Sequence, residues 1–191
     1  MNPEPFSEKT YSEKAIQTFY TVAERNHIQL SGIADRKANI VLVVCSMVIS
    51  TVITGSVKIF KSDMDNFMLI PTAIFVVFMV LTMILSIMTT MPKLSSGLFD
   101  KDDVKKHKVN LAFFGNFYKM ELEDYEWAVK YMQNDTTEIY KMLTTDLYFL
   151  GSVLDKKFRL LNFTYTMLSI GVVISVLSFI VAFYFEFNTT V

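Results

Sequence analysis

Charge is missing from three long stretches of this chain: Asn39 to Val57, Asn66 to Met91, and Leu160 to Phe185. A bilayer hydrocarbon core about 30 Å thick needs roughly 20 apolar residues of helix to cross it. Buried helices of a soluble domain rarely run so far without a charge, so these runs are expected to be membrane spans. Other scarcities narrow the reading. The single cysteine, Cys45, excludes an intrachain disulfide framework and a multi-cysteine metal site. The two histidines, His27 and His107, stand far apart. HExxH, CxxC, Walker and GxSxG motifs are all absent, so neither a catalytic residue, a metal site nor a cofactor is expected, and the chain does not read as an enzyme. Six glycines and four prolines in 191 residues argue against a loop-rich fold. The first residues carry Glu4, Glu8, Lys9, Glu13 and Lys14 with no early apolar core, unlike a signal peptide. The 18 basic and 19 acidic side chains nearly cancel, so nothing draws the chain toward nucleic acid.

Hydrophobic residues make up 52% of the chain and set the layout. Residues 39–57, 66–91 and 160–185 form spans one, two and three. Residues 1–38 precede them, 92–159 lie between spans two and three, and 186–191 form a short tail. With no water to satisfy an open backbone, each span must be helical. Arg36 and Lys37 before span one, Lys93, and Lys156, Lys157 and Arg159 before span three put the N-terminus and residues 92–159 on the cytoplasmic side of the membrane. The first loop, with Lys58, Lys61, Asp63 and Asp65, says little, whereas the tail after Phe185 lacks any basic residue.

The polar parts read as helix too. Thr10 and Glu13 have capping-box spacing. Ile16, Tyr20, Ala23, His27, Leu30 and Ala34 then follow at steps of four and three, one face of a helix that continues into span one, with Gly32 as a weak point. Pro92 to Lys108 reads as a loop with a short helix, containing Ser95, Ser96 and Gly97. Glu121 to about Met132 is a further helix, stopped by Asn134 and Asp135. Asp135 and Glu138 repeat the capping-box spacing, and the helix they start runs on into span three. The fold class is an all-α membrane protein with three transmembrane helices. Juxtamembrane extensions of the spans form its cytoplasmic helical bundle.

Three strings give the chain a family likeness: Ala34-Asp-Arg-Lys-Ala38; Phe113-Phe-Gly-Asn-Phe117 with Asp124-Tyr125; and Asp146-Leu-Tyr-Phe-Leu-Gly151 followed by Leu154-Asp-Lys-Lys-Phe-Arg-Leu160. Their order and placement resemble the Pycsar-effector transmembrane family, from about Ile16 to Phe183. The resemblance implies a bacterial membrane effector of antiphage systems that signal through cyclic nucleotides. Such an effector assembles and compromises the inner membrane once a signal arrives. Several relatives carry an added cyclic-nucleotide-binding or HD-type domain. This chain shows no strand-like alternation to build one, so the helical domain or a separate sensor protein must do the sensing. Expected partners are the lipid bilayer, further copies of the chain, and either a cyclic pyrimidine nucleotide or that sensor. The alternative is a non-lytic membrane adaptor whose helical domain docks a cytosolic protein.

Candidate residues follow. Asp35 and Lys37, with Lys156 and Arg159, form a ligand or switch set at the span mouths, where Asp35 can pair with Lys156, Lys157 or Arg159; the plainer reading is a topology anchor. Asn116 sits in the aromatic box at Phe113–Phe117. That box is either core around a tight turn at Gly115 or a stacking surface for a base, with Lys105, Lys106 and Lys108 near its phosphate. Asp146 lies on an apolar helix face and needs a partner. Ser46, Ser50 and Thr54 in span one and Ser175 and Ser178 in span three form polar stripes, suited to close packing or to lining a water path. Thr82, Ser86 and Thr89 do the same in span two.

Overall fold

The structure, a computed structural model, describes residues 13–59, 68–92, 99–106, 109–134 and 136–189. Thr10, the first loop from Lys61 to Asp65, Lys93, Ser95, Ser96, Gly97, His107, Lys108 and Asp135 lie outside them, and both capping boxes expected from the sequence fall there in part. Among the described residues six helices follow in order: α1 (Glu13–Ile59), α2 (Leu69–Thr90), α3 (Lys101–Lys105), α4 (Phe114–Phe117), α5 (Leu122–Gln133) and α6 (Thr136–Thr189). No strand occurs among the described residues. α1, α2 and α6 are long and apolar enough to cross a membrane. No proline interrupts α1 or α6, and α1 passes Gly32 unbroken. α6 continues beyond Phe185 to Thr189.

The contacts divide the chain into two compact units, one from residues 1–29 with 93–153, the other from 30–92 with 154–191. In the first, Val104, Leu111, Ala128 and Met132 form the buried core, flanked by Phe99, Val109, Tyr125, Trp127 and Met142. A five-residue helix such as α3 has little stability alone. It is held by Val104 in the core and by a capping box between Asp100 and Asp103. Lys101 adds an ion pair to Asp124 (3.3 Å) and lies 5.3 Å above the Trp127 ring. The aromatic box forms the short helix α4 around buried Gly115, and the Phe117 and Tyr125 rings meet at 4.4 Å. The Tyr125 hydroxyl donates to the Leu111 carbonyl at 3.1 Å.

The second unit packs through small residues. Ala34 and Ala38 on α1 are fully buried against Leu161 of α6. One and two turns further on, Val41 and Cys45 meet Met79 of α2, with Phe75, Met83 and Leu168 around them. Gly171 lets α2 and α6 come close: a Cβ there would stand 2.7 Å from the Phe78 Cβ. Small side chains at such contacts are how helices approach in a medium that offers no hydrophobic drive to associate. Thr82, Thr89, Thr164 and Ser175 are buried, each hydroxyl donating to the carbonyl four residues back. Ser86 is buried as well, but its hydroxyl has no hydrogen-bond partner among the described residues.

Candidate functional site: a lysine clamp and a basic groove

Among the described residues each unit holds a cluster with chemistry. In the second unit, the Lys157 ammonium donates to both carboxylate oxygens of Asp35 (2.8 and 2.9 Å) and to the Ser31 hydroxyl (2.9 Å). An ammonium has three donors, and all three are used. Ser31 and Asp35 are one turn apart on α1, so both side chains rise on the face that carries Ala34 and Ala38. Lys157 lies next to Phe158 and one turn before Leu161, the residues that α6 packs onto that face. The pair is partly shielded, with side-chain exposures of 21% for Lys157 and 36% for Asp35. It stands within four residues of both uncharged runs, at the mouths of spans one and three.

The other cations at these mouths do not join the clamp. Lys156 and Arg159 are offered as partners of Asp35 by sequence, but helical phase turns both outward. Arg159 pairs instead with Asp155 one turn earlier on α6 (2.8 Å), and Lys156 is exposed, as are Arg36 and Lys37.

In the first unit, a groove of about 450 Å³ is lined by Lys106, Thr137, Tyr140, Lys141, Thr144 and Thr145. Five of these six residues lie on α6, which packs against α1 beside the groove. The Tyr20 and Tyr140 rings stack at 5.8 Å, and the Tyr20 hydroxyl shares a 2.7 Å hydrogen bond with Thr144. Lys141 is held by Glu138 at 3.0 Å. Two ammonium groups, three threonine hydroxyls and a phenol ring form a lining suited to an anion that carries a ring. Further along the same helices, His27 Nδ1 donates to the Ala23 carbonyl (2.7 Å), and Nε2 faces Gly151. Gly151 thus makes room for the imidazole between α1 and α6.

The aromatic box does not line this groove. Asn116 donates its amide to the Asn110 carbonyl (2.9 Å), while the Asn110 side chain accepts from the Ala112 amide (2.8 Å), so Asn116 fixes the turn into α4. Lys106 lines the groove together with Tyr140, and none of the phenylalanines lines it. The signal for this was present as Thr137, Tyr140, Lys141 and Thr144, one face of α6 at steps of three and four. Asp146 is half-buried and makes no hydrogen bond or ion pair among the described residues. The polar stripes separate by location. Ser46, Ser50 and Thr54 of α1 are exposed, Ser175 is buried, and Ser178 is half-buried. Ser46, Thr54, Ser175 and Ser178 all return their hydroxyl protons to the carbonyl four residues back.

No curated protein and no solved structure was found that is similar to the chain. Its sequence does match the profile described as the Pycsar effector protein domain, over residues 18–184. That match takes in the clamp, the groove and all three apolar helices, and by it the chain belongs to the Pycsar effector family, membrane effectors of cyclic-nucleotide antiphage defence.

Proposed function

We propose that this effector assembles in the bacterial inner membrane and disrupts it when a cyclic-nucleotide signal arrives, with its N-terminus and residues 92–159 in the cytoplasm. The observation that carries the reading is the family match over residues 18–184, which extends from the groove-bearing helices into every apolar helix. Two features support it. The cations Arg36, Lys37, Lys156, Lys157 and Arg159 cluster before spans one and three, the side that stays cytoplasmic. The groove at Lys106, Tyr140 and Lys141 has the lining a cyclic pyrimidine nucleotide needs: cations for its phosphate and a ring for its base. The switch is the Lys157–Asp35 clamp, a contact between α1 and α6 that a change in either helix can break. Its opening need bias two states by only a few kcal/mol to shift their populations. No step in this reading is catalytic.

A non-lytic adaptor is the second reading. It is favoured by large side chains left exposed on the first unit, Phe19, Tyr148 and Phe149 among them. The test is membrane potential in cells expressing the chain, with and without a co-expressed pyrimidine nucleotide cyclase. Depolarisation only with the cyclase supports the effector reading. Depolarisation without it overturns gating by that nucleotide. A steady potential in both, with the protein inserted, overturns disruption and favours the adaptor.

A further inference from the structure

A line of exposed residues runs down α6: Asp155, Arg159, Asn162, Thr166, Ser169, Val173, Val176 and Ile180. The steps alternate four and three throughout. This is the heptad spacing that keeps one seam of a helix facing a partner helix along its length. The chemistry along the seam is graded. An ion pair between Asp155 and Arg159 stands at the mouth of the span, polar side chains follow, and β-branched residues complete it.

The upper half of the seam gathers the polar side chains. Apart from Tyr165, a residue type common at headgroup depth, the exposed polar side chains of α6 between Leu160 and Phe183 are Asn162, Thr166 and Ser169, and all three fall on this line. Thr166 and Ser169 satisfy their hydroxyls on carbonyls of their own helix. Asn162 does not: its carboxamide, two donors and an acceptor, has no partner among the described residues. At a helix–helix contact near the span mouth such a group can hydrogen-bond across to the facing helix.

We infer that this seam is the surface on which a second copy of the chain docks, α6 against α6 in parallel. Copies that insert with one topology meet in parallel, which brings Asn162 to Asn162 across the symmetry axis. A carboxamide is self-complementary, donating to and accepting from its twin. A single asparagine at such a seam position is a known means of setting register. The ion pair fits the same arrangement. Asp155 and Arg159 are neutral together, and the guanidinium has donors left to reach the partner's carboxylate. Below them Val173, Val176 and Ile180 give a seam that packs without polar groups.

This inference deepens the proposed assembly of the effector and rests on it. The test is disulfide scanning of the full chain in membranes, in a Cys45→Ala background, with copper–phenanthroline as oxidant. Cysteines at 162, 166, 169, 173 and 176 are expected to form dimers. Cysteines at the exposed off-seam positions 163, 170, 174 and 177 are expected to remain monomeric. Asn162→Leu is expected to lower cross-linking at 169 by about tenfold, with Asn162→Gln restoring part of it. Subunit counting by single-molecule photobleaching accompanies the scan. A flat or absent scan from a chain that counts as multimeric overturns the α6 seam and leaves assembly standing. A chain that counts as a monomer with and without the cyclase overturns both.

Discussion

Replacing Gly171 by alanine puts a methyl group where α2 and α6 touch. The new Cβ would lie 2.7 Å from the Cβ of Phe78, 2.9 Å from its Cγ and 3.0 Å from its Cδ1. Carbon atoms pack best at about 3.5–4.0 Å, so α2 and α6 must separate by roughly 0.8 Å or more at this level. Rotating the Phe78 ring relieves the Cγ and Cδ1 contacts. It does nothing for the Cβ contact, which the backbone sets. Overpacking of this kind costs about 1–3 kcal/mol. For a chain of this size that corresponds to a fall in Tm of roughly 2–12 °C. The assay is thermal unfolding of detergent-solubilised protein followed by loss of the monodisperse peak on size exclusion. Phe78→Ala retains the offending Cβ and is expected not to rescue Gly171→Ala, whereas Phe78→Gly is expected to rescue it in part. A Tm unchanged by Gly171→Ala, or full rescue by Phe78→Ala, would refute the close approach of α2 and α6.

Three further outcomes follow from the same contacts. Asp35→Asn or Lys157→Met alone leaves a half-shielded charge without its partner and is expected to lower stability. A double-mutant cycle in unfolding assays should return a coupling of about 1 kcal/mol, modest because both side chains are partly exposed. Ser86→Ala removes a buried hydroxyl with no partner among the described residues and is expected to hold or raise Tm, measured as above. Ser50→Leu, on an exposed face of α1, should leave Tm unchanged, while Ser175→Leu should lower it by overfilling a buried site. Of the two, Ser50→Leu is therefore the clean probe of whether the α1 stripe contributes to toxicity in a growth assay.

The three apolar helices were legible because a missing charge is unambiguous in a medium that excludes charge. Their polar extensions were legible too, since Ile16, Tyr20, Ala23 and His27 keep a helical period well before the first span. The clamp was only half legible. Asp35 was marked by its isolation among cations, but choosing Lys157 over Lys156 and Arg159 required the phase of α6. Leu154, Phe158 and Leu161 carry that phase and bring 157 to the inward face. The groove was missed for another reason. Lys106 and the aromatic box are close in sequence, yet the Asn110–Asn116 hydrogen bond folds the box into its own turn. The ring that lines the groove with Lys106 comes from α6, more than thirty residues on. The face Thr137, Tyr140, Lys141 and Thr144 on α6 was readable as a periodicity, but nothing in it announces that Lys106 joins it.

The small residues that hold the second unit together also limit what one copy can do. Ala34, Ala38, Cys45 and Gly171 bring the helices near enough for Leu161 of α6 and Met79 of α2 to pack directly against α1, and for α2 and α6 to touch at Phe78. Contacts this close between the three helices favour a water path bounded by more than one copy. The rate at which leakage begins should then rise as a power of the number of chains per unit area of membrane. A cell with few copies would stay sealed under a signal that empties a cell with many.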